Sequence, residues 1–241
     1  CEYTSDKSLY NVSDAVLFHA LFIGDLPPER IPGQKWVFWE NESPRVLNIL
    51  QNLQPYKYKF NITSTYSMFS DVPLPHLKKC VPEDGQLNVR AKPKENFAAG
   101  KDRLIAWFAN HCTTPSRREI YAKQLQNHVA VDIYGKCGPY KCSTANRTVC
   151  LKDVLEKRYK FVLAFENSLC REYVTDTIWD VFENRLKVVP IVLGGADYSR
   201  YFPAGTYIDI RDYKSPSHLA VYLKYLDRHP EKYNEYIWRR T

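Results

Sequence analysis

Apolar runs of five or six residues alternate with polar, turn-forming segments along this chain. The run Phe161-Val162-Leu163-Ala164-Phe165 has the length and the β-branched and aromatic content of a buried strand, and residues 188–193 repeat it. Between them Ile178, Trp179 and Phe182 fall at helical spacing, with Thr175 as the expected N-cap. The same strand–helix–strand order occurs earlier: a strand over Arg103–Phe108, a helix from about Ser116 with Ile120 and Leu125 on one face, and a strand over 129–134. Such connections imply parallel pairing through right-handed crossovers. Upstream, residues 15–18, 35–39 and 60–66 predict three further strands. Downstream, 151–157 reads as a short amphipathic helix and 207–210 as a strand. Ser215-Pro216 opens a helix carrying Leu219, Leu223 and Leu226, and a last helix covers 231–238. Residues 1–13 read as a flexible polar lead-in. Residues 88–101, rich in Lys, Pro, Ala and Gly, read as a linker between two α/β halves, 1–98 and 99–241.

Composition narrows the class only a little. A chain of 241 residues, 44% hydrophobic and 25% charged, is that of an ordinary folded protein. The formal charge of +7 favours anionic ligands without selecting among a nucleotide-sugar pyrophosphate, an acidic glycan and nucleic acid. No Lys/Arg run or Arg-Gly repeat speaks for nucleic acid, and no nucleic-acid partner is expected. No apolar stretch of about 20 residues and no signal peptide is present. Cys112, Cys137, Cys142, Cys150 and Cys170 account for five of the seven cysteines. From Cys137 onward they are separated by four, seven and nineteen residues, which is not a zinc pattern. Disulfides in an oxidising compartment are the expectation, with the pairing open and one cysteine left over. The sequons at Asn11, Asn61 and Asn146 agree with a secretory route; Asn41-Glu42-Ser43 also matches, with Pro44 against it.

Candidate chemistry gathers where strands end. In open α/β sheets, ligands lie at the carboxyl ends of the strands and at helix N-termini, where free N–H groups favour anions. Glu42, after the second strand, is a candidate general base, because a carboxylate within reach can take the proton of a weakly nucleophilic hydroxyl. The alternatives are a solvated loop carboxylate or a first-turn acid, and Glu40 is the neighbouring candidate. Arg118 falls in the first turn of a helix, where a cation opposes the dipole and needs another partner. That partner is a pyrophosphate, Glu119, or a carboxylate one turn on. Glu166 and Asn167 could engage a sugar ring or satisfy backbone groups at the strand's end. His111 has no triad order or metal-ligand spacing around it.

Several motifs together carry a resemblance. FVLAFENS (161–168), YVTDT (173–177) and VPIVLGG (189–195) resemble the donor-binding region of the α-1,3-fucosyltransferase family. WENESP (39–44), FNITSTYS (60–67), WFANHC (107–112), SRREIY (116–121), VDIYGKCG (131–138) and YKSPSHLAVYLKYL (213–226) follow in the family's order. The resemblance implies two Rossmann-like domains facing a cleft, the GT-B architecture, with an acceptor-side first half and a donor-binding second half. It implies inverting transfer of fucose from GDP-fucose to a glycan hydroxyl, α-1,3 to N-acetylglucosamine of a glycoprotein glycan. Glu42 would be the base, with Asn41 and Ser43 on the acceptor side. Arg118, Tyr134, Glu166, Asn167, Ser168, Tyr173, Thr175, Asp176 and Thr177 would bind the donor. No cofactor or metal is implied beyond a stimulatory divalent cation. The family's setting implies the luminal part of a Golgi type II membrane protein, anchored through a segment N-terminal to this sequence.

Two departures matter. Asp176-Thr177 stands where the family has Glu-Lys, and that Lys contacts the donor phosphates. A lost charge-assisted bond of about 1.5–3 kcal/mol predicts donor binding weaker by one or two orders of magnitude. Ser67-Met68-Phe69 replaces another family segment, keeping only Ser70 and Asp71 from it. The alternatives are therefore a protein O-fucosyltransferase and a catalytically impaired relative that still binds donor or glycan.

Overall fold

The computed structural model describes residues 2–76, 95–142 and 146–240. They form two compact units, one ending at His76 and the other covering the described residues from Glu95 onward.

The first unit is built on three parallel strands in the order β1 (Ala15–His19), β2 (Lys35–Glu40), β3 (Ile62–Thr65). Helix α1 (Pro44–Leu50) connects β2 to β3; Ser43 caps it by accepting the Val46 N–H at 3.2 Å, and Pro44 needs no donor there. Phe18, Trp36, Phe38 and Phe60 cluster on one face, with centroids 5.1–5.6 Å apart. The third strand is shorter than the apolar pattern suggests. Asp71 folds back to accept both the N–H and the hydroxyl of Thr63 at 2.8 Å, so the retained Ser70-Asp71 pair closes a loop onto β3. The lead-in is not free along its whole length. Lys7–Val12 forms a 3-10 turn, the Tyr10 hydroxyl donates to Glu29, and the Gln34 side chain donates to the carbonyls of Tyr10 and Ser13.

The second unit holds a five-stranded parallel sheet in the order β5-β4-β6-β7-β8. Its strands are β4 (Arg103–Phe108), β5 (Val131–Tyr134), β6 (Tyr159–Phe165), β7 (Val189–Leu193) and β8 (Ile208–Asp209). Strand β6 is nearly all buried and β7 wholly so, which explains their unbroken apolar runs. Ile105, Phe161, Leu163 and Ile191 face α2 (Arg118–Gln126), α5 (Pro216–Arg228) and α6 (Pro230–Trp238). Ala106, Val162, Ala164 and Val192 face the layer of α3 (Arg147–Cys150), its π-helical continuation Leu151–Glu156, and α4 (Asp176–Glu183).

Three expectations change here. Residues 88–94 of the expected linker lie outside the described residues, and its remainder is packed: Phe97 and Ala98 are buried in the second core, and the Phe97 N–H donates to Asn234. The strand expected over 207–210 has only two residues, because Asp209 accepts the Arg211 N–H and pairs with its guanidinium at 2.5 Å, turning the chain. Helix α2 begins after Ser116 because Arg117 takes a left-handed conformation, φ 55°. Cys112 pairs with Cys137 and Cys142 with Cys150, while Cys170 is free; Cys1 and Cys80 lie outside the described residues. No helix among the described residues is long and apolar enough to cross a membrane.

Candidate active site

The strand order reverses between β4 and β6. From β4 the chain runs outward to β5, then returns to the opposite side of β4. The carboxyl ends of these two strands bound the crevice where open parallel sheets hold ligands. The loop after β4 is stitched to the end of β6. The Ser116 hydroxyl donates to the Glu166 carbonyl at 2.7 Å, and the Ser116 N–H to the Asn167 carbonyl at 3.0 Å. Arg118 follows, donating from Nη1 to the Phe165 carbonyl and lying over the Trp107 ring. Its Nε is buried without a hydrogen-bond partner. Burial pulls its pKa down, against the attraction of Glu166. Glu119 adds a weaker attraction, its carboxylate accepting the Thr114 hydroxyl at 2.9 Å. The switch point thus keeps a half-buried guanidinium whose Nε has no partner in the protein.

Glu166 turns its carboxylate inward. It is 2% exposed, and it accepts the Thr175 N–H at 2.8 Å and the Thr175 hydroxyl at 2.7 Å. Thr175 is the residue before α4 as expected, yet its hydroxyl donates to Glu166 instead of capping the helix. Burial raises the Glu166 pKa to about 7, with the Thr175 bonds and Arg118 opposing that rise. Between its two readings, Glu166 therefore satisfies the backbone. Ser168 and Tyr173 are buried as well, and neither presents an open side chain. Tyr134 also departs from the expected donor set. Its ring packs on Phe108 in the core, and its hydroxyl meets that of Tyr159 at 3.0 Å, which donates in turn to Asp132. Asn167, Thr175, Asp176 and Thr177 are half-buried. Gly194 and Gly195 close the edge: a Cβ on Gly194 would lie 2.3 Å from the Tyr198 hydroxyl, and one on Gly195 2.6 Å from the Leu169 carbonyl.

Arg147 is a member of this region that sequence reasoning missed. It pairs with Asp176 at 2.9 Å and Asp180 at 2.5 Å, so the acid at the start of α4 is neutralised by a cation about 30 residues upstream. No local pattern signals that pairing.

In the first unit the two acids after β2 separate cleanly. Glu40 is buried; its Oε1 accepts the N–H groups of Asn41 and Glu42, each at 2.9 Å, and its Oε2 that of Leu21 at 3.0 Å. It is committed to holding the turn. Glu42, the candidate base, is half-buried on that turn. Ser43 is fully buried as the α1 cap, so its hydroxyl does not face an acceptor. Asn41 Oδ1 is buried without a hydrogen-bond partner. Of the sequons, Asn11 and Asn61 are exposed, and so is Asn146, which caps α3 through Oδ1.

Comparison with known proteins places this geometry in a lineage. The family model described as "Fucosyltransferase, N-terminal" matches residues 1–77, and "Glycosyltransferase family 10 (fucosyltransferase) C-term" matches 98–241. The chain is 36% identical over 263 residues to alpha-(1,3)-fucosyltransferase C of Drosophila melanogaster, covering all of this chain and 60% of that protein. It is 37% identical over 253 residues to the Homo sapiens 4-galactosyl-N-acetylglucosaminide 3-alpha-L-fucosyltransferase FUT5, covering all of this chain and 63% of that protein. A crystal structure of an alpha1,3-fucosyltransferase with GDP-fucose shares the fold, with a TM-score of 0.60 at 21% identity over 93% of this chain and 69% of the other. The chain spans roughly three-fifths of the length of the curated relatives it matches. It belongs to glycosyltransferase family 10, the fucosyltransferases.

Proposed function

We propose that this chain carries the donor and acceptor elements of an enzyme that transfers fucose from GDP-fucose to a glycan hydroxyl. The observation that carries the reading is Arg118, half-buried at the β4/β6 switch point with Nε unpartnered. Transfer inverts the anomeric centre in one displacement. The acceptor oxygen bonds to the anomeric carbon of fucose as the bond from that carbon to the diphosphate oxygen breaks. Glu42 takes the acceptor's proton, and GDP leaves with its new charge met by Arg118. The acceptor proposed is an N-acetylglucosaminide glycan, the substrate in the name of the human relative FUT5. The two disulfides favour an oxidising compartment, in keeping with the Golgi lumen.

A second reading, donor binding without efficient transfer, is favoured by Thr177. It offers no charge at the start of α4, and the nearby Arg147 is already bound to Asp176 and Asp180. Calorimetry with GDP-fucose, GDP-mannose and GDP tests both readings. Selective GDP-fucose binding, weakened about 10- to 100-fold by Arg118→Ala, is expected. Unchanged affinity in that variant would remove Arg118 from the site. Donor binding without turnover on any N-acetyllactosamine acceptor would select the second reading.

A further inference from the structure

The first unit contains a cavity of about 320 Å³ lined by Phe38, Tyr56, Tyr58 and Phe60, with Lys57 and Thr63 among its polar groups. It is not the edge that carries Glu42. Phe38 and Thr63 are register partners and Phe60 precedes β3, whereas Glu42 follows the other end of β2. Three of the rings are fixed from behind. The Tyr56 hydroxyl donates to the Gly24 carbonyl at 3.1 Å, and Phe60 packs against Phe38 and Phe18. Tyr58 is different. It is 88% exposed and sits in the left-handed region at φ 64°, with the Lys57 ammonium 4.9 Å from its ring centre. A bulky residue held there costs backbone energy and leaves an aromatic face in water, so burial within the fold does not account for it.

Aromatic faces are electronegative, and the C–H groups on one face of a pyranose are weakly electropositive. Rings bordered by a few polar groups therefore match a sugar better than a purely apolar body. The sequence places an attachment motif for a sugar here. Asn61-Ile62-Thr63 is a sequon, and Asn61 lies between the lining residues Phe60 and Thr63. Asn61 Oδ1 accepts the Trp36 N–H at 3.0 Å and a bond from Arg30, whose guanidinium lies over the Trp36 ring. Trp36 and Phe38, two residues apart on β2, share one face of the sheet. N-glycosylation consumes Nδ2 and leaves Oδ1 in place. Nδ2 bonds to the anomeric carbon of the sugar and loses a proton, and the pyrophosphate of a lipid-linked oligosaccharide leaves that carbon. The linkage would thus start from a side chain that is already immobilised.

We infer that the first N-acetylhexosamine of a glycan on Asn61 docks in this cavity against Tyr58, making the glycan part of the first unit's packing. Tethering gives the sugar an effective concentration on the order of millimolar, so weak stacking suffices. The inference does not depend on fucose transfer.

The test uses the full chain secreted from eukaryotic cells, as wild type and as Tyr58→Gly; glycine tolerates the positive φ and removes the whole side chain. Mass spectrometry of the glycopeptide that carries Asn61 reports its occupancy. Each protein is then trimmed to one sugar per site or stripped completely, and its thermal unfolding is followed. In the wild type, the one-sugar form melts with the untrimmed one, and stripping lowers the midpoint by about 4 °C or more. In Tyr58→Gly, stripping produces no such drop. Unmodified Asn61, or an equal drop in both proteins, overturns the inference. So does binding of free N-acetyllactosamine at Tyr58 while the Asn61 sugar is attached, which would assign the cavity to an acceptor.

Discussion

Replacing Glu166 by Gln should flatten the pH dependence of stability more than it lowers stability itself. Burial raises this carboxyl from an ordinary value of 4.5 to about 7, with Asp176 adding to the rise and Thr175 and Arg118 opposing it. The native pKa lies above the unfolded one, so the native state holds the extra proton between those two values. The stability due to this group is therefore complete below the unfolded value and is lost as pH rises through about 7. A difference of this size corresponds to about 3 kcal/mol between acidic and slightly alkaline pH. Glu166→Gln cannot titrate. It keeps one carbonyl oxygen for Thr175 and gives up the other bond, worth about 1 kcal/mol. Urea unfolding of both proteins, followed by tryptophan fluorescence at several pH values between about 4 and 8, separates the two effects. The wild type should lose more stability than the variant across that range. Parallel pH profiles would refute the assignment of a buried, proton-holding carboxyl at the end of β6.

Three further outcomes follow from the same geometry. Glu42→Gln should reduce transfer by about 10²- to 10⁴-fold with calorimetric GDP-fucose affinity unchanged, and retained activity would exclude Glu42 as base. Arg147→Ala removes the 2.9 and 2.5 Å pairs to Asp176 and Asp180. With Asp180 buried, it should cost about 1–3 kcal/mol in urea unfolding, with partial rescue by Arg147→Lys. Tyr134→Phe should cost about 1 kcal/mol of stability and leave GDP affinity unchanged. A selective loss of GDP binding would return Tyr134 to the donor contacts.

The strands of the second unit were legible because both of their faces are buried, so Phe161 to Phe165 and Val189 to Leu193 needed no periodicity to identify them. What the sequence hid is set by contacts between distant residues. Tyr10 is anchored by Glu29 and Gln34, Asp71 shortens β3, and Arg147 reaches α4. The candidate edges were legible as strand ends, the orientation of their side chains less so. A motif at a strand's end fixes which residues share an edge, but not which way their side chains turn. Tyr134, Ser43 and Glu166 share edges with the candidate site, yet turn into the core, onto a helix end and toward Thr175.

The two units solve the same physical problem at their edges in the same way. In each unit a buried glutamate at a strand's end receives backbone N–H groups from nearby turns. Glu40 takes the N–H groups of Asn41, Glu42 and Leu21; Glu166 takes that of Thr175. A carboxylate committed in this way cannot also serve chemistry without releasing the turn it holds. The acid nearest the strand is then scaffold. This separation favours Glu42 over Glu40, although both belong to one motif. In the second unit it favours Arg118, whose Nε is unpartnered, over Glu166, whose two oxygens both serve Thr175.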